Sequence, residues 1–351
     1  MKYRLLIFSA FCLVSLLTKA QDPLFTQFYH SPAYLNPGFT GCGKNDFRAC
    51  YTGRMQWMNL PTPLQYHTLS MDGYSSIYNV SAGAIASHFS EGYIQTTELS
   101  AVLAKNFGND ADNERPWFLN FAMQFGLGLK HADRNKFLFA DQLNQNGPNG
   151  QQSQVEIFGT QNKINKAYFD ISSGLIFTYG NFMVGAAVHH WSKPQNGIAG
   201  SAVDNKLPRR YTAHLSYISE GSSVNDGTIV TKPTIIYNSQ GISKSLMLGS
   251  LFDLPEQNIE FGLWYKNNIS FSNSHSFAIS INIKFGQEKN YYNGEGNGRF
   301  RTGVSYDGEL NKPGVRHTAG STEMGVLYES GSLECPKPSG RTSGRFPWEF
   351  H

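Results

Sequence analysis

The residues best equipped for chemistry in this chain each lack the partners that chemistry requires. His189-His190-Trp191-Ser192 puts two imidazoles side by side, but neighbours on a strand point to opposite faces and cannot share one ion. His190 follows the face of Phe182, Val184, Ala186 and Val188, where an amphipathic ring suits a lipid–water boundary. Asp110-Ala111-Asp112-Asn113-Glu114 alternates acids without the glycine and distal glutamate of a calcium loop. Gly294-Glu295-Gly296-Asn297-Gly298 lacks the strand-to-helix setting of a phosphate loop. No Ser/His/Asp signature and no CxxC or Cys/His cluster stands out. The reading is a protein that is not an enzyme and takes no cofactor or metal.

What remains is electrostatic and redox chemistry. Arg48, Arg54 and Gln56 share one set of alternate positions, opposite Phe47, Tyr51, Met55 and Trp57. Arg299 and Arg301 likewise oppose Phe300, Thr302 and Val304, and Lys284 lies near them in the chain. An inward cluster of this kind could meet the acidic groups of a bound polypeptide. The alternative is internal pairing with Asp46, Glu98 or Asp170, because buried charges are normally paired. Cys42 and Cys50 are close enough to close a small disulfide loop in an oxidising compartment. Unpaired thiols are the alternative, since an odd number of cysteines follows the leader.

That compartment is set by the first residues. Lys2 and Arg4 precede the apolar run from Leu5 to Leu17, and Thr18-Lys19-Ala20 supplies small residues at the cleavage positions. A stretch of thirteen residues falls short of the roughly 20 that span a bilayer as a helix. Residues 1–20 therefore read as a secretory signal peptide rather than an uncleaved anchor. Phe11 before Cys12 stands where a lipoprotein signal needs a small residue. Removing the leader takes away Lys2, Arg4 and Lys19, leaving 29 − 3 = 26 basic residues against 26 acidic ones. A neutral chain has no field to attract nucleic acid.

Composition and periodicity supply the elements. Aromatics make up 14% and charged residues only 16%, the latter below the roughly 25% of ordinary domains. Mean hydropathy is nonetheless −0.36, which suits a wall that is apolar outside and wet inside. Between Phe118 and Lys130, Leu119, Phe121, Met123, Phe125, Leu127 and Leu129 alternate with Asn120, Ala122, Gln124, Gly126 and Gly128. Leu127 is thus expected to face lipid, and Gln124 a lumen that would tolerate arginine. The pattern recurs at 168–180 and 274–286, in strands of the length that crosses a bilayer. A soluble sandwich also alternates, but with shorter strands and no reason to end its apolar faces on Trp57, Tyr179, Tyr265, Phe285 and Tyr328. Candidate strands lie near 47–57, 66–74, 78–89, 93–105, 118–130, 168–180, 182–191, 209–219, 232–237, 244–252, 259–267, 274–286, 299–306 and 315–328. The fold expected is all-β, a transmembrane antiparallel β-barrel of about 14 strands. It occupies residues 46–328, behind a periplasmic or plug-like N-terminal segment at 21–45 and before a non-strand tail at 329–351. Pro23, Pro32 and Pro37 keep the N-terminal segment out of the sheet, and Phe25, Phe28, Tyr29 and Tyr34 demand burial.

Three stretches carry a family resemblance. The start, Gln21-Asp22-Pro23-Leu24-Phe25-Thr26-Gln27-Phe28-Tyr29, runs on to Tyr34-Leu35-Asn36-Pro37-Gly38. Phe169-Asp170-Ile171-Ser172-Ser173-Gly174-Leu175 leads to Val188-His189-His190, and Leu207-Pro208-Arg209-Arg210-Tyr211-Thr212 follows. Together they resemble the PorP/SprF family of type IX secretion outer-membrane proteins of Bacteroidetes. The resemblance implies a bacterial outer-membrane protein that helps secrete or anchor a cognate cell-surface protein, often an adhesin, through its C-terminal domain. It also implies alternatives: a place in the core secretion and gliding machinery, with the translocon or periplasmic lipoproteins as partners. A solute channel is the physical rival, and membrane lipid surrounds the protein in every version.

Overall fold

The computed structural model describes residues 22–330, apart from 43–46, 76–77, 79, 109–116, 134–135, 139, 145–146, 149, 152–162, 197–205, 220–221, 225–226, 270–273, 288–297 and 311–313. Residues 1–20, expected to be a signal peptide, and Cys335 with the tail beyond 330 lie outside the described residues. Fourteen strands form the wall. They are β1 Phe47–Gln56, β2 Leu64–Ser75, β3 Val80–Glu91, β4 Ile94–Gly108, β5 Trp117–Asp133, β6 Lys163–Tyr179 and β7 Phe182–His189. After these come β8 Arg210–Tyr217, β9 Gly227–Gln240, β10 Ser243–Leu254, β11 Ile259–Asn268, β12 Ser274–Gln287, β13 Gly298–Glu309 and β14 Ser321–Glu329. Each strand pairs antiparallel with its sequence neighbours, and β1 pairs with β14, from Arg48↔Glu329 to Gln56↔Ser321. Closure leaves the barrel wall without an edge strand, so its backbone groups can be satisfied inside a bilayer.

The apolar face of this wall points outward. Leu127 is 65% exposed and Ile279 62%, whereas Asn120 and Ala122 are 0%. A sandwich would bury the apolar face, so exposure decides for a membrane barrel. Both ends of the wall, before β1 and after β14, lie at one end of the barrel, called inner here. The long β5–β6 and β7–β8 connections leave from the opposite, outer end.

Three strand starts differ from expectation by five or more residues, β6 opening at Lys163 rather than 168. The last strand starts at Ser321, because Val315–Thr318 forms one helical turn. Positive φ at Ala319 and Gly320 then turns the chain into the sheet. The weak 232–237 signal belongs to a strand running over 227–240. Its Pro233 sits beyond the last pair with β8, Ser216↔Thr234, so the missing N–H breaks no ladder bond with β8.

Candidate functional site

Residues 22–42 fill the lumen. A single turn at Phe28–His30, a helical turn at Pro32–Leu35 and another at Pro37–Phe39 fold the segment compactly. Proline opens two of these turns, where its missing N–H is harmless. Phe25, Phe28, Tyr29, Leu35 and Phe39 are all buried against the wall. Phe28 and Tyr29 join Ile236, Met247, Leu251 and Trp264 in the largest apolar cluster. Polar side chains then fix its position. Asn36 Nδ2 donates to the carbonyls of Leu175 (3.1 Å) and Ala186 (3.3 Å), while its Oδ1 accepts from Gly38 N at 2.8 Å. Asn120 Nδ2 donates to the carbonyls of Gly38 and Thr40 at 2.7 and 2.9 Å. Gly174 is required where the plug touches β6: a Cβ there would stand 2.0 Å from Asn36 Oδ1 and 2.7 Å from Gly38 N. Cavities of about 60, 20 and 10 Å³ remain between plug and wall, room for a few waters at most.

The segment runs from the outer end of the lumen to the inner. At its outer end, Asp22 lies 2.7 Å from His190 Nε2 and 3.2 Å from Arg210 Nη1, and its N–H donates to Gln240 at 2.7 Å. His190 Nδ1 lies 3.0 Å from Asp170. Burial alone would raise the Asp22 carboxyl, but the charges of His190 and Arg210 hold it well below the usual carboxylate range. Burial opposes protonation of His190, yet Asp22 and Asp170 outweigh it and push the imidazole up to about 10. His30, buried without a carboxylate contact of its own, is held well below its ordinary value. Beside this clamp, the Thr26 and Gln27 N–H groups each donate to Glu323 at 2.8 Å. Arg54 binds both Glu323 and Asp307, and Lys266 lies 2.7 Å from Asp307.

The inner end is closed by a second ionic layer. Arg48 pairs with Asp72 at 3.0 Å and donates to the Phe39 carbonyl at 2.8 Å. Arg299 pairs with Glu329 at 2.8 Å. Lys284 lies 2.7 Å from Asp253 and 2.9 Å from Glu260, Lys232 also reaches both acids, and Arg301 pairs with Glu260. The Arg301 guanidinium stacks 4.4 Å from the Tyr29 ring centre.

All five basic residues singled out from the sequence, Arg48, Arg54, Lys284, Arg299 and Arg301, therefore point inward. Four stand at the inner end, and Arg54 belongs to the outer cluster. Each is engaged by a carboxylate of this same chain. Their partners are Asp72, Asp253, Glu260, Asp307, Glu323 and Glu329, not the expected Asp46, Glu98 or Asp170; Asp46 lies outside the described residues. Those acids occupy the inward positions of their strands, so alternation alone could have found them.

Of the two readings left open for Cys42 and Cys50, the structure has the thiols, both buried and not joined to each other. Cys42 Sγ is held in the plug, donating to the Gly38 carbonyl at 3.3 Å and accepting from Asn120 at 3.2 Å. His190 does not follow the outward face of β7. Its φ of +59° breaks the alternation and turns the ring into the lumen, where it is 5% exposed. His189 also points inward, toward the Leu35 carbonyl at 3.2 Å. The pair thus holds the plug from two sides.

The three stretches that resemble PorP/SprF meet at this contact: Asp22 and Asn36 from the first, Asp170, Gly174 and His189–His190 from the second, Arg210 from the third. Among solved structures, the toluene transporter TbuX of Ralstonia pickettii is similar at 9% identity and TM-score 0.47, over 86% of this chain and 93% of its own. The CymD monoaromatic hydrocarbon channel gives 10% and 0.47 over 89% and 94%. The Acinetobacter baumannii outer membrane protein Omp33 gives 7% and 0.38 over 81% and 96%. No curated protein matches the chain. The profile described as type IX secretion system membrane protein PorP/SprF matches residues 17–328. With nearly the whole barrel and its plug inside that match, the chain belongs to the PorP/SprF family of type IX secretion system membrane proteins, as an outer-membrane β-barrel.

Proposed function

We propose that this barrel is exported by its leader and serves type IX secretion as a dock. It helps secrete, and holds at the surface, one cognate cell-surface protein of the adhesin kind through that partner's C-terminal domain. Its role is binding, not catalysis. The observation that carries this reading is the filled lumen. A lumen packed with residues 22–42, with cavities of about 60, 20 and 10 Å³ left against the plug, is a poor pathway for solutes and a stiff platform for a protein partner. A larger hollow of about 780 Å³ is lined mostly by lipid-facing residues such as Met55, Ile279, Val304 and Met324. Little ordering entropy is lost when the receiving groups are already held in place. The five inward basic residues could contact the partner only after their own carboxylates were displaced. The reading therefore puts the partner at the outer rim, where the β5–β6 and β7–β8 connections emerge.

The test is deletion of the gene, with export and surface display of type IX cargo measured protein by protein. Loss of display of one protein, recovered with the native barrel on purification, is the expected result. A halt in all type IX export would instead assign the chain to the core secretion and gliding machinery. Unchanged display together with free ion conduction by the purified barrel would favour a channel.

A further inference from the structure

The lipid-facing wall carries two histidines that an apolar belt does not explain. His67 of β2 and His88 of β3 stand directly opposite each other in the ladder. Both occupy outward positions, in step with Leu69 and Met71 on β2 and Ala84 on β3. Opposed residues on neighbouring strands bring their Cβ atoms to about 4.5–5.5 Å. One row toward the inner end, Leu69, Ala86 and Leu99 are apolar; one row toward the outer end, Gln65, Ser90 and Gln95 are polar. The pair thus sits where the apolar belt gives way to the outer rim.

Both rings are braced from behind. His67 Nδ1 lies 2.9 Å from the Tyr51 hydroxyl, and His88 Nδ1 lies 2.9 Å from Thr97 Oγ1. Tyr51 also stacks on the His67 ring at an interplanar angle of 18°. Among the described residues neither Nε2 has a hydrogen-bond partner. One nitrogen held by a polar neighbour and the other free is how imidazoles are oriented toward a metal ion.

We propose that His67 and His88 form a two-imidazole site for a divalent transition-metal ion of the Cu²⁺ or Zn²⁺ type. The ion takes the Nε2 lone pairs of both rings. This selects the tautomer in which each Nδ1–H donates to its hydroxyl oxygen, and no proton leaves the neutral imidazoles. No group of three or more His, Cys, Asp or Glu suited to a metal occurs among the described residues, so water fills the remaining positions. Imidazole donors and an open coordination sphere favour Cu²⁺ over Zn²⁺.

The test uses the purified full-length barrel, stripped of metal in detergent and titrated with Cu²⁺ and then Zn²⁺. One Cu²⁺ per barrel with hyperfine coupling from two imidazole nitrogens is expected. His67→Ala and His88→Ala should each weaken binding at least about tenfold, and Thr97→Val, which removes only the brace, by about tenfold. His131→Ala, at another exposed histidine whose Nδ1 faces Asn165 at 2.7 Å, should change nothing. All these sites lie on the outer surface, and heat-modifiable gel mobility reports whether each variant is folded. Unchanged Cu²⁺ affinity in both histidine variants, or a spectrum with fewer than two imidazole nitrogens, would overturn the proposal.

Discussion

Asp22 and Glu260 show how single charges hold this interior together. Asp22 is the outer pin of the plug, and its grip depends on His190 being protonated. The His190 value is raised from 6.5 to about 10 in the folded protein, so its contribution is complete below about pH 6.5 and fades as pH rises through 10. The Asp22 value is lowered from 3.8, so its contribution is complete above that pH and is lost as pH falls through the lower folded value. Amide exchange at residues 22–30 should therefore be slowest between about pH 4 and 6.5, after correction for intrinsic rates. It should quicken toward pH 10, and His190→Gln should abolish that rise. Glu260 is the common acceptor for Lys232, Lys284 and Arg301, and it is 0% exposed. Glu260→Gln leaves buried cations short of a counter-charge, which costs roughly 3–5 kcal/mol. A lower urea midpoint for loss of the heat-modifiable band would register it.

At the scale of the strand, β5 separates lipid from lumen one residue at a time. Leu127 is 65% exposed on the outward face, and Leu127→Arg at mid-bilayer depth should cost about 2–4 kcal/mol. The lumen side behaves differently from what a water-filled barrel would allow. Gln124 borders a cavity of only about 20 Å³, shared with Asp22, His190 and Arg210, and its Oε1 has no hydrogen-bond partner among the described residues. Arginine cannot be housed there without displacing the plug, so Gln124→Arg should also destabilise, by about 1–3 kcal/mol. Gln124→Met keeps the volume and removes the unsatisfied oxygen, so it should be neutral or stabilising. Equilibrium unfolding in detergent or lipid measures all three. Equal damage from Gln124→Met and Leu127→Arg would contradict the facing of this strand.

The whole molecule behaves as one packed body because the plug and the wall share a core. Gly174→Ala tests this directly. The new methyl meets Asn36 Oδ1, the Gly38 backbone and Pro37 within 3.0 Å, none of which can yield without moving the plug. The wild-type barrel should be electrically silent in planar bilayers, while Gly174→Ala should show intermittent conductance and faster exchange at residues 32–42. A silent variant with unchanged exchange would mean that the wall, not the plug, absorbs the strain.

Much of this architecture is legible in the sequence, for a plain reason. Period-two alternation in β5, β6 and β12 and the aromatic strand ends report the local contrast between lipid and lumen, which each strand meets on its own. Fourteen segments could thus be marked out one by one, and each corresponds to a strand of the wall. The prolines and aromatics of residues 22–42 likewise show that this segment needs burial without joining a sheet. What tertiary structure alone decides is partnership. Asp22 meets His190 168 residues away, and Thr26 meets Glu323 297 residues away. Closure of the barrel, which no local pattern encodes, brings such groups together. The same holds for the ring of His190: strand parity turns it toward lipid, and one left-handed residue at the end of β7 turns it inward, where the charge of Asp22 makes that conformation worth its strain.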